Sequence, residues 1–217
     1  MPPIRHLLAP TVGTGVFMAL YLVLRPGGDA SGDPTAIAQA FASPWWVASH
    51  LAGMVALASA ARLAVRVHDL YPDRTTAAAR WTGLAGLAGV LPYYGAETYA
   101  LHIFGARFLD GDATALDVAQ AVRDQPVALW LFGLGLILLA ASAAAWATAL
   151  TRTGAVPPHA IWPLAACLVL VLPQFFLPPL WRSAFGLATL AAALVLTAAI
   201  LRRRPACHRV AAMTHPR

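Results

Sequence analysis

Residues 81–104 read WTGLAGLAGVLPYYGAETYALHIF. A helix crossing the hydrocarbon core of a bilayer needs about 20 mainly apolar residues, and this stretch is long enough. It also carries Glu97, the one glutamate in the chain. An ionisable group at membrane depth is expensive and usually faces a protein interior or a water-filled cavity. The stretch therefore poses both the fold and the question of function.

Five further stretches have the same character: residues 7–24, 45–64, 127–150, 161–177 and 183–201. The whole chain of 217 residues agrees, with 59% apolar and 11% charged residues and a mean hydropathy of +0.67. A soluble domain carries about 25% charged residues. This composition excludes an ordinary soluble domain, a disordered chain, a nucleic-acid-binding domain and a disulfide-rich module, each of which needs polar surface or cysteine that is missing here. The expected fold is all-α: a polytopic bundle of six transmembrane helices in a single domain, followed by a basic tail over residues 202–217. Membrane lipids are the expected partners, and nucleic acid is not one.

The arginines orient that bundle. All fifteen basic residues are arginine, and with six spans both termini and the second and fourth connections share one side. That side holds Arg5, Arg62, Arg66, Arg74, Arg80, Arg152, Arg202, Arg203, Arg204, Arg209 and Arg217; the other holds Arg25, Arg107, Arg123 and Arg182. Positively charged loops stay in the cytoplasm, so the expected placement is a bacterial inner membrane with both ends cytoplasmic. Absence of lysine and the wealth of alanine read as the coding bias of a GC-rich genome. The first span, preceded by Arg5, has no A-x-A cleavage pattern and reads as a retained helix rather than a signal peptide. Cys167 lies within a span and Cys207 in the tail, at different depths, so no disulfide is expected.

The outer connections carry their own signals. Asp33-Pro34 pairs an N-cap acid with proline at the first helical position, so residues 35–42 read as a short interfacial helix. Residues 114–123 have the composition of another. Asp110-Gly111-Asp112 resembles the start of a calcium loop, but Ala121 stands where an EF-hand needs its glutamate. No metal site is expected, and no motif calls for a cofactor.

Three polar residues fall at similar depth in three spans. Glu97 lies about 10 Å below Phe104, and His50 lies about 8 Å below Trp45 in the antiparallel second span, at about 1.5 Å per residue. Gln174 lies three residues from Leu177 in the fifth span. Helical spacing puts Tyr93 and Tyr94 beside Glu97, and Trp46 beside His50. His102 is turned about 140° from Glu97 and reads as interfacial. Pro92 and Pro173 interrupt their spans near these residues, freeing the carbonyls of Ala88 and Val169. Gly53, Gly83, Gly86 and Gly89 read as helix-packing positions.

A pocket of His50, Glu97 and Gln174 with walls of Tyr93, Tyr94 and Trp46 admits three uses. It can bind a lipid-like or isoprenoid-like small molecule from the outer leaflet. Glu97 and His50 can serve instead as an acid/base catalytic pair in an isomerase, cyclase or hydrolase acting on such a molecule. Glu97 can also carry protons in a small-molecule transporter, although the two halves of the chain show no internal repeat. A structural His50–Glu97 pair that only pins two helices is the alternative to all three. The motif SHLAGMVAL at residues 49–57 and GLAGVLPYYGAETYALHIFG at residues 86–105 resemble a loose group of small six-helix bacterial integral membrane proteins. That resemblance covers most of the chain and implies the six-helix fold without an activity.

Overall fold

Proline and a few polar caps set where the helices begin. Pro34, Pro44, Pro126 and Pro158 each occupy the first turn of a helix, where the missing N–H would have had no intrahelical partner. Asp33 accepts from the amides of Thr35 and Ala36 at 3.1 and 3.2 Å. Asp73 and Thr76 form a reciprocal capping box at 2.7 and 2.9 Å. At the other end of a helix, Gly154 takes the left-handed conformation, φ +62°, that glycine adopts without strain.

The computed structural model describes residues 4–202. Of these 87% are helical, with no strand among them, so the backbone polar groups are satisfied locally, as a bilayer demands. The helices are α1 (Leu8–Leu24), α2 (Pro34–Ala42), α3 (Pro44–Leu70), α4 (Arg74–Leu109), α5 (Ala115–Arg123), α6 (Pro126–Thr153), α7 (Pro158–Val169), α8 (Val171–Gln174) and α9 (Pro179–Arg202). Short 3₁₀ turns cover Ile4–Leu7 and Gly27–Ala30. The short segments expected outside the spans are present as α2 and α5. Four helices are long and apolar enough to cross a membrane: Ile4–Leu24, Pro44–Leu70, Pro126–Thr153 and Pro179–Arg202.

The other two expected spans take less regular forms. Residues 81–104 lie inside α4, whose 36 residues are diluted in apolar character by glycine, tyrosine, Pro92 and Glu97. Pro92 does not break it; the helix runs through unbroken, held against α6 just below, where Leu131 meets Gly89. Residues 161–177 divide instead into α7, α8 and a turn. The division falls at Leu170, whose amide is bonded to Ala166 and Cys167, just ahead of the position where Pro173 cannot donate to Val169. The tail beyond Arg202, with Arg203, Arg204, Cys207 and Arg209, lies outside the described residues.

Glycine contacts show how the long helices pair. Along α3, Ser59 meets Gly13 of α1, and Gly53 meets Tyr21, so these two helices are antiparallel. Gly83, Gly86 and Gly89 of α4 meet Ser142, Gly135 and Leu131 of α6 in falling order, again antiparallel. A β-carbon on Gly86 would stand 2.6 Å from the Gly135 carbonyl, and one on Gly135 would stand 2.7 Å from that of Gly86. The Ser142 hydroxyl adds a 2.6 Å bond to the Ala79 carbonyl. Gly15 and Gly186 likewise let α1 and α9 approach, and Ser183 bonds the Leu22 carbonyl at 3.2 Å. Small residues and interhelical hydroxyl bonds replace the hydrophobic driving force that lipid does not provide.

Many bulky apolar side chains also point outward. Trp130, Ile137, Phe176, Leu180 and Leu194 are all exposed, a surface that suits lipid and not water. Replacing Gly135 by alanine should lower the thermal midpoint of the detergent-solubilised protein, since overpacking costs about 1–3 kcal/mol. Gly133 has open space around it, and Gly133→Ala should leave the midpoint unchanged or raise it.

Candidate functional site

Glu97 is reached from three sides. Its helix, α4, passes the first turn of α3, where the Trp46 indole N–H donates to the Glu97 main-chain carbonyl at 3.0 Å. One turn along α3, the His50 ring lies 4.1 Å from the Trp46 ring. His50 is fully buried, and Glu97 is 6% exposed. Across the gap, His50 Nε2 stands 3.7 Å from Glu97 Oε2. The other carboxylate oxygen faces Arg123 Nε, at the end of α5, at 3.3 Å.

The histidine has a defined hydrogen-bond polarity. Its Nδ1 lies 2.7 Å from the Trp46 main-chain carbonyl. A carbonyl only accepts, so Nδ1 carries a proton and donates it. Exchange is left to Nε2, which has no hydrogen-bond partner among the described residues and faces the carboxylate. Tyr21 and Tyr94 complete the enclosure, with ring centroids 5.6 and 6.0 Å from that of His50. A proton on the pair can reside on Nε2, giving an ion pair, or on Glu97, giving a neutral one.

A second group of charges adjoins the first. Arg25, just past the end of α1, donates to the Tyr21 hydroxyl at 2.9 Å and to Asp29 Oδ2 at 2.6 Å. Its guanidinium lies 5.2 Å from the Trp46 ring centroid, close enough for a cation–π contact. Arg182, in the first turn of α9, stands 3.9 Å from Asp29 Oδ1. Both Asp29 and Arg182 are buried.

A cavity of about 610 Å³ joins these charges to an apolar wall. Arg25, Asp29, Glu97, Arg123 and Arg182 form its polar side. Leu129 and Phe132 of α6, with Leu172, Phe175, Phe176 and Leu177 around α8, form the other. Phe132 stacks on Tyr93 at 4.6 Å and meets Phe175 edge-on at 5.5 Å. Tyr93 lines the cavity too and donates its hydroxyl to the Arg123 carbonyl at 3.3 Å, tying α4 to the end of α5.

The sequence-derived site residues are distributed unevenly around this space. Glu97 and Tyr93 line the cavity, while His50, Trp46 and Tyr94 stand behind Glu97 as buried support. Gln174 does not join them: it is buried in α8, its amide has no partner, and it does not line the cavity. The break at Leu170 interrupts the helix that the sequence reading runs through Gln174. His102 bonds the Phe41 carbonyl at 2.9 Å, securing α2. Among the described residues no three His, Cys, Asp or Glu side chains are grouped to hold a metal ion.

From the sequence the arginines serve only to mark a side of the membrane, and Asp29 carries no signal, so this part of the site is missed. Arg25, Asp29, Arg123 and Arg182 come from connections and helix ends, yet they turn inward onto Glu97 and the cavity. The usable signal is that two of the four arginines on the arginine-poor side, Arg25 and Arg182, directly border a span end. Comparison with protein-family models, curated proteins and solved structures finds no match.

Replacing Trp46 by phenylalanine removes the indole bond to α4. The expected cost is about 1–3 kcal/mol, read as a lowered thermal midpoint, whereas Trp130→Phe at an exposed position should shift it little.

Proposed function

We propose that the protein is a six-span bacterial inner-membrane protein, both termini cytoplasmic, that binds a lipid-like or isoprenoid-like amphiphile in the outer leaflet. The observation that carries this reading is the two-sided cavity. Charged groups line one wall and aromatic and aliphatic groups the other, with exposed Phe176 and Leu177 on its apolar side. A volume of about 610 Å³ is within the range of small-molecule sites, which are mostly apolar with a few placed polar groups. The polar wall takes the head of the ligand, and the apolar wall takes its chain.

The six-span topology rests on the order of the helices. α4 is antiparallel to both α3 and α6, and α7 with α8 return the chain before α9. The arginine count then assigns the ends. A reporter fluorescent only in the cytoplasm, fused at either terminus, should be bright, and one fused at residue 112 should be dark. A bright reporter at residue 112 overturns the orientation.

A second reading has its own observation, the His50–Glu97 pair. His50 is fixed through Nδ1, so Nε2 can pass a proton to or take one from Glu97, which alone of the two reaches the cavity. Glu97 then acts on the ligand as general acid or base, and His50 restores its proton. Mass spectrometry of molecules that co-purify with the protein separates the readings. The same ligand in wild type and Glu97→Gln identifies a binding protein. A precursor that accumulates only in Glu97→Gln identifies an enzyme. Glu97→Gln and His50→Ala are expected to insert normally, and loss of folded protein in either would make the pair a structural pin.

A further inference from the structure

Three arginines surround a cavity that the two carboxylates beside them do not neutralise. Among the residues that line it, Arg25, Arg123 and Arg182 stand against Asp29 and Glu97, so cationic groups outnumber carboxylates. Their hydrogen-bonding capacity is also in excess. A guanidinium has five N–H donors and no acceptor. Arg182 is 8% exposed, yet the one carboxylate paired with it among the described residues, Asp29, is 3.9 Å away, beyond good hydrogen-bond distance. Arg25 is equally enclosed, its side chain 7% exposed, and its Nε has no partner. Arg123 meets Glu97 through Nε, lies 5.9 Å from the Phe41 ring centroid and lines the same cavity.

The location of Arg182 sharpens this. It sits in the first turn of α9, a helix of 24 residues whose first residue, Pro179, has no N–H and where the Arg182 amide bonds Pro178, so the aligned peptide dipoles and the amides of Leu180 and Trp181 present the positive potential. A cation is disfavoured there unless an anion lies close by. Pro179, at the start of the same helix, lines the cavity together with Arg182, so this positive helix end borders the same space as Arg25 and Arg123.

We propose that Arg25, Arg123, Arg182 and the first turn of α9 form a site for a phosphate-type oxyanion. This deepens the amphiphile reading and rests on it for the source of the phosphate, the head of a lipid-like molecule whose chain lies along Phe132, Phe175 and Phe176. The geometry favours phosphate over carboxylate. A carboxylate is planar, and one arginine fork occupies both of its oxygens. Three guanidiniums arriving from three separate chain segments match the several oxygens of a tetrahedral group. Asp29 holds Arg25 at 2.6 Å and so orients one of the three. Glu97 borders the same space and places a carboxylate beside the phosphate ester.

The test uses the full chain, purified in an uncharged maltoside detergent, with dodecyl phosphate, dodecanoate, dodecyltrimethylammonium and inorganic phosphate as probes, measured by calorimetry. Dodecyl phosphate should bind about tenfold or more tighter than dodecanoate, and the cation should not bind. Arg182→Gln and Arg123→Gln should each weaken dodecyl phosphate by about tenfold or more, the effect expected for losing a charge-assisted hydrogen bond, with partial recovery in Arg182→Lys. Arg123, at 27% side-chain exposure, provides the variant least dependent on folding. If dodecanoate or the cation binds as well as dodecyl phosphate and the glutamine variants change nothing, the phosphate site is overturned while the amphiphile pocket stands. If inorganic phosphate binds as tightly as dodecyl phosphate, the oxyanion site stands and the amphiphile reading fails. Absence of binding by every probe overturns both.

Discussion

Where α4 crosses α6, no side chain separates the two backbones. Gly86 and Gly135 face each other across a gap that a single methyl group would close. With lipid outside, close packing and hydroxyl-to-carbonyl bonds such as Ser142 to Ala79 hold the helices together. This crossing fixes what lies beyond it on both helices. Tyr93 and Glu97 follow on α4, Phe132 and Leu129 precede on α6, and these residues form facing parts of the cavity. The aromatic stack of Tyr93 on Phe132 continues the contact after the glycines end.

Above that crossing the chain collects charge in an environment that resists it. A carboxylate removed from water needs a cation or a proton nearby. Glu97 has both kinds of neighbour, Arg123 on one oxygen and His50 on the other. Asp29 plays a parallel part between Arg25 and Arg182. The two carboxylates thus link the end of α1, the end of α5, the start of α9 and the start of α3 around one space. No single helix contains the site, and the short segments α2 and α5, which span nothing, help to enclose it.

The sequence revealed some of this through simple geometry. A rise of about 1.5 Å per residue was enough to put His50 and Glu97 at one depth, because both lie in regular helices. Depth alone does not bring Gln174 to the cavity: its neighbours Leu172 and Phe175 line it and Gln174 does not, in a segment where Pro173 and the break at Leu170 interrupt the helix. Arginine counting treated Arg25, Arg123 and Arg182 as markers of a side, a use that discards where each one points. Their convergence depends on loop conformation and on the packing of α5 and α9, which no periodicity encodes. All six apolar stretches were visible, yet α4 and α7 depart from the simple span: one is rich in glycine and tyrosine, the other is cut short.

The bond from the Trp46 indole to α4 ends on the main-chain oxygen of residue 97 and not on its carboxylate. Any amino acid at that position would offer the same oxygen. Anchorage of the two helices and the charge carried into the cavity are therefore borne by different atoms of one residue. The Trp46 bond is indifferent to the identity of residue 97, so what the chain's one glutamate adds there is a carboxylate that meets His50 and Arg123 and borders the cavity.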